Sequence, residues 1–65
     1  MKIILNGQPV DITSDDMASL LESLGHAPDS VATALNGHFV AYGDRAGQRL
    51  VEGDRVDVVA PMAGG

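Results

Sequence analysis

The sequence predicts an α+β fold on three observations: two Asn-Gly turn signals, one amphipathic helix pattern, and a closing run of alternating apolar residues. Asn6-Gly7 and Asn36-Gly37 each sit between short apolar runs, and this dipeptide tolerates the positive φ angles that a two-residue hairpin turn needs. Strands on either side of a single helix point to α+β rather than to a repeating strand–helix–strand sheet. The 65 residues are expected to form one compact unit, residues 1–60, followed by an extended tail, residues 61–65.

Lys2-Ile3-Ile4-Leu5 reads as the first strand and Gln8 to Thr13 as its return, with Val10 and Ile12 on one face. Pro9 has no amide hydrogen, so the return strand is expected at a sheet edge. Thr13-Ser14-Asp15-Asp16 reads as a helix start, a hydroxyl capping the free amides and the aspartates favouring the positive end of the dipole. Met17, Leu20, Leu21 and Leu24 then recur at i, i+3, i+4 and i+7, one apolar stripe. Gly25 is expected to end the helix in a left-handed cap, and Pro28 to prevent a restart. At about 9–10 residues this helix is marginal alone, so the stripe must pack on a sheet.

Val31 to Leu35 reads as a third strand and His38 to Ala41 as a fourth; Tyr42 to Arg49 reads as a loop. Glu52-Gly53-Asp54 is a tight turn, and Arg55 to Ala60 a last strand with Val56, Val58 and Ala60 on one face. Phe39 and Val59 are expected in the core, an exposed apolar patch being the alternative. A mixed sheet of four or five strands, with the helix across one face and the last strand beside the first, is the β-grasp arrangement. Parallel pairing of Lys2–Leu5 with Arg55–Ala60 would bury Ile3, Leu5, Val56 and Val58 under the stripe.

Four basic against nine acidic residues, a net charge of −5, argue against a nucleic-acid or anionic-membrane binder. They favour solubility and attraction to a basic partner surface. With no cysteine there is neither a disulfide nor a thiolate metal site. Ile3-Ile4-Leu5 is too short for a signal segment, and no run approaches a membrane span, so the expected compartment is the cytoplasm. One Phe, one Tyr and no Trp leave little to line an enclosed pocket, so the chain is not expected to be an enzyme.

His26 and His38 fall in turns without a nucleophile or ligand spacing, and read as surface residues. Asp15 and Asp16 are explained by the helix start; Asp11, Glu22 and Asp29 read as a solvated face open to a basic partner. No phosphate-cradling glycine motif is present. Gly7, Gly25, Gly37 and Gly53 fall where turns or a cap want them, and Gly43 and Gly47 punctuate the loop. Gly64-Gly65 has no such explanation; a frayed end or a tag remainder is the alternative to a working tail. Pro61 cannot extend a sheet ladder, so the last strand is expected to release the chain there. Pro61, Met62, Ala63 and Gly64 are slender enough to enter a narrow channel on another protein. At the tip, Gly65 presents a carboxylate whose acyl carbon no Cβ obstructs.

Taken in order, Met1-Lys2-Ile3-Ile4-Leu5-Asn6-Gly7, the leucine-rich helix, Val31 to Val40, Leu50-Val51-Glu52-Gly53-Asp54-Arg55-Val56, Val58-Val59-Ala60-Pro61-Met62 and Gly64-Gly65 resemble the thiamine-biosynthesis sulfur carrier family, ThiS, of the ubiquitin-like β-grasp superfamily. The loop Tyr42-Gly43-Asp44-Arg45 departs from it, since a Pro-Arg or similar pair is expected there in relatives. The resemblance implies that the Gly65 carboxylate is adenylated with ATP by a ubiquitin-activating-like adenylyltransferase (ThiF type). Sulfur from a cysteine desulfurase or other donor then gives a thiocarboxylate, which thiazole synthase (ThiG type) uses to form the thiazole of thiamine. It also implies that Pro61, Met62, Ala63 and Gly64 line the partner's channel, with no cofactor bound by the carrier itself. The small subunit of molybdopterin synthase, a ubiquitin-like modifier and a plain interaction module are the competing readings.

Overall fold

The computed structural model describes residues 1–60; Pro61, Met62, Ala63, Gly64 and Gly65, and with them the expected tail, lie outside the described residues. Strands β1 (Lys2–Leu5) and β2 (Gln8–Asp11) form the first hairpin, with Leu5 opposite Gln8. Asn6 and Gly7 adopt φ of 49° and 83°, the left-handed pair whose twist matches that of the flanking strands. β2 is an edge strand, as Pro9 requires.

Helix α1 (Met17–Ser23) is shorter than expected, with seven residues. A carboxylate caps it in place of the expected hydroxyl: the Ser19 amide donates to Asp16 Oδ1 at 2.7 Å, and the Ser19 hydroxyl to Oδ2 at 3.0 Å. Asp16 remains extended because its backbone bridges to Arg49, so helical geometry begins only at Met17. At the other end Leu24 is the C-cap and Gly25, at φ 79°, turns the chain away. The Gly25 amide donates to Glu22 O at 3.0 Å and the His26 amide to Leu21 O at 3.1 Å, which satisfies two carbonyls left over by the helix. Leu24 therefore leaves the stripe and is 40% exposed, whereas Met17, Leu20 and Leu21 are buried.

The cap makes stability pH-dependent. The Ser19 amide, as the largest influence, holds the Asp16 carboxyl below its ordinary value of 3.8, with smaller help from the Ser19 hydroxyl and Arg49. Its contribution is present in full above that ordinary value and is lost as the pH falls through the lowered folded-state pKa. Asp16→Ala is expected to lower the thermal midpoint at neutral pH, by an amount that shrinks as both proteins are acidified. Parallel melting curves would check this, and a constant difference down to the lowest pH would contradict the capping role.

Pro28 does not prevent a new turn but starts one: Pro28–Ser30 is a short 3-10 segment, proline being well suited to a first helical position. Strands β3 (Ala32–Leu35) and β4 (His38–Val40) form the second hairpin around Asn36-Gly37. Tyr42–Gly47, read from sequence as a loop, is a second 3-10 segment. Its wind is explained by Arg45, which is only 4% exposed. Nη1 of Arg45 donates to Pro28 O at 2.6 Å, Nη2 to Val31 O at 2.7 Å, and Nε to Thr33 Oγ1 at 3.1 Å. The Thr33 hydroxyl donates onward to Val40 O at 2.9 Å, so this buried polar pair is satisfied throughout.

Strand β5 (Arg55–Val59) completes a five-stranded sheet in the order β2-β1-β5-β3-β4. β5 runs parallel to β1, with Leu5 beside Val56, and antiparallel to β3, with Thr33 beside Val58. Ile3, Val40, Val56 and Val58 meet Met17, Leu20 and Leu21 of the helix, with Val31 and Leu50 closing the core and Leu5 packed at its margin. Each fully buried aliphatic side chain contributes about 1.5–3 kcal/mol relative to an exposed one. Phe39 and Val59, expected in the core, are instead 74% and 62% exposed. They alternate with Val40 and Val58, so the pleat directs them to the face away from the helix.

Candidate functional site: the last strand and the bare sheet face

The order of strands puts β5 in the middle of the sheet, held on both sides, and the chain leaves it at Ala60, which is exposed. Whatever follows Ala60 is thus carried by the most firmly embedded strand. Among the described residues, the helix covers one face of the sheet and nothing covers the other. On that face Phe39, Ala34 and Asp57 form one cross-strand row, and Ala32 and Val59 form the next. Val59 immediately precedes the point of exit, so the apolar face runs up to the start of the C-terminal segment. An exposed aromatic beside small residues is a surface that gains by being covered.

The remaining candidates are dispersed. His38 is exposed on β4, and His26 is half-buried in the turn after the helix. Among the described residues, no group of three or more His, Asp or Glu side chains is placed to hold a metal ion. His26 does border a surface groove of about 400 Å3 shared by Leu21, Glu22, Pro28, Tyr42 and Arg45. There the Arg45 guanidinium lies 5.3 Å from the centre of the Tyr42 ring, close enough for a cation–π contact. Of the acidic set, Asp16 is the helix cap and Asp15 pairs with Arg49 at 3.1 Å, both partners being well exposed and the pair accordingly weak. Asp11, Glu22 and Asp29 remain on the surface, as expected.

Sequence reasoning missed Arg45, and no local signal marks it: it is an arginine among glycines and an aspartate in an apparent loop. The side-chain roles of Asn6 and Asn36 toward β5 also escaped it, because both residues were fully accounted for by their turns.

A bare-faced β-grasp domain with its last strand at the centre of the sheet is a protein of the ubiquitin-like class. The chain belongs to the ThiS family, whose sequence pattern matches residues 3–65. Its fold is similar to that of the thiamine biosynthesis protein (ThiS) from Geobacter metallireducens. The crystal structure of that protein superposes with a TM-score of 0.84 at 26% identity, covering 100% of both chains. Its NMR solution structure gives the same TM-score of 0.84 and 26% identity, covering 100% of this chain and 88% of the other. No match was found among curated proteins. The family and these structures support a sulfur carrier in thiamine biosynthesis.

Proposed function

We propose that this protein carries sulfur as a C-terminal thiocarboxylate for formation of the thiazole of thiamine. A carboxylate is a poor electrophile, so activation must come first. In this reading the Gly65 carboxylate attacks the α-phosphorus of ATP on a ubiquitin-activating-like adenylyltransferase of the ThiF type, expelling pyrophosphate. The terminal sulfur of a persulfide, supplied by a cysteine desulfurase or another donor, then attacks the acyl carbon and expels AMP. A thiol cleaves the resulting S–S bond and leaves the thiocarboxylate, which thiazole synthase of the ThiG type consumes. Pro61, Met62, Ala63 and Gly64 line the partner's channel, and Gly65 alone is modified. The carrier binds no cofactor and works in the cytoplasm, ATP and sulfur being handled by its partners. The observation that carries the reading is family membership over residues 3–65, which includes the Gly64-Gly65 pair.

Intact mass spectrometry tests it. After incubation with ATP, the activating enzyme and a sulfur donor, the protein should gain about 16 Da, the difference between sulfur and the oxygen it replaces. An unchanged mass, under conditions where another ThiS protein shifts, would favour a plain interaction module. Adducts to lysine would instead favour a modifier.

The bare sheet face offers the activating enzyme its docking surface, with Phe39 as the anchor. Because Phe39 is 74% exposed, Phe39→Ala should change folding stability by no more than about 0.5 kcal/mol. The same change should raise KM for the activating enzyme about tenfold, as loss of a central aromatic contact does. A wild-type KM would show that this face remains uncovered in the complex.

A further inference from the structure

The two Asn-Gly turns do more than reverse the chain: each sends its asparagine side chain to β5. At the start of the strand, the Asn36 amide donates to Arg55 O at 2.7 Å and the Arg55 amide to Asn36 Oδ1 at 2.9 Å, while Asn36 Nδ2 donates to Asp54 Oδ1 at 3.1 Å. Towards the end of the strand, the Asn6 amide donates to Val56 O at 2.9 Å and the Val58 amide to Asn6 Oδ1 at 2.8 Å.

The second contact is unusual in kind. In a parallel ladder the bonds from one strand recur every two residues. After Ile4 N–H to Asp54 O and Asn6 N–H to Val56 O, the next acceptor needed is one for Val58 N–H. By then β1 has ended and the main chain has entered its turn at Asn6, φ 49°. The side-chain oxygen supplies the rung that the backbone no longer can. A partly buried amide is thereby satisfied, and β5 is gripped on its β1 side for two residues beyond the end of β1.

We propose that Asn6 is a positioning residue for the C-terminal segment: its Oδ1, by holding the Val58 amide, sets the point at which the last strand leaves the sheet. This rests on the carrier reading, in which the residues after β5 are delivered into a partner. Without the side-chain acceptor, Val58 and Val59 are held by β3 alone, opposite Thr33 and Ala32. Val58 and Val59 then gain conformational freedom that must be given up on docking. The reacting carboxylate itself is untouched. The defect should therefore fall on KM and spare kcat.

Asn6→Gly tests this cleanly, since glycine accepts the positive φ and removes only the side chain. Asn6→Asp restores an accepting oxygen in a residue that also tolerates this φ, and Asn36→Gly makes the same change at the other turn. Amide hydrogen exchange of the full chain reads the clamp. ATP–pyrophosphate exchange with a ubiquitin-activating-type adenylyltransferase reads delivery. In Asn6→Gly the Val58 amide should exchange about tenfold faster with Val56 unmoved, and KM should rise about three- to tenfold with kcat within about twofold. Asn6→Asp should recover both, and Asn36→Gly should accelerate Arg55 but not Val58. Unaltered exchange at Val58 in Asn6→Gly would overturn the clamp. Faster exchange with an unmoved KM would overturn the positioning role and leave the carrier reading standing. A wild-type chain that supports no pyrophosphate exchange would overturn that reading, and the positioning role with it.

Discussion

Arg45→Ala is expected to destabilise the fold by about 3–5 kcal/mol, the largest effect of any substitution outside the aliphatic core. The Val31 carbonyl would lose a charged donor in a buried position, at about 1–3 kcal/mol, and the Pro28 carbonyl would lose one at a part-buried position that water can partly replace. The Thr33 hydroxyl fares better, because it still donates to Val40 O. Removal of the side-chain stem adds a packing loss. A domain of this size has about 3–10 kcal/mol in total, so the variant would be largely unfolded in mild urea. Arg45→Lys retains the charge but cannot address three acceptors from a planar fork, and should fall between the two proteins. Arg45→Met preserves most of the stem and isolates the hydrogen bonds. Urea titrations of the four proteins decide the matter. A loss below about 1 kcal/mol for alanine would mean that the second 3-10 segment is held by its own backbone and not by this side chain.

Deleting Gly65 is expected to abolish the gain of about 16 Da while leaving the folded domain as it was. Among the described residues the core ends at Val58 and the pairing of the last strand at Val59, so the deletion touches nothing in the sheet described above. The midpoint of unfolding should match that of the full chain, and the backbone spectrum should change only near the end. Chemistry, by contrast, should be lost outright, because removing the residue withdraws the carboxylate from the place where the activating enzyme would meet it. Gly65→Ala should retain slow activation, since a Cβ crowds the acyl carbon without removing it. Each protein is compared by intact mass over the same time course. A deletion variant that acquires sulfur at the full rate would place the modification elsewhere on the chain and end the carrier reading in its present form.

Much of the fold was legible because its signals are local. The Asn-Gly pairs require positive φ at both positions and are found with it, Gly25 terminates the helix through bonds to its own last turn, and Pro9 identifies an edge strand by the donor it lacks. The misreadings share a different cause. Leu24 fits the helical stripe, yet the cap moves it out to solvent. Phe39 and Val59 are apolar in strands, yet alternation gives each strand one face with no helix to cover it. Tyr42–Gly47 is rich in turn formers, yet the buried guanidinium of a residue within it winds it into a 3-10 segment.

The division follows from the range of the forces. Dihedral preference, capping and the period of the apolar pattern act over a few residues, and with them the sequence alone determined the order of strands and helix, the two hairpins and the family resemblance. Which face stays bare, how the two turn asparagines reach the last strand, and where an arginine can lie without a carboxylate depend on groups up to 52 residues apart in the chain. Only the closed tertiary structure decides those, because a hydrogen bond or a buried surface exists only once both of its halves have been brought together.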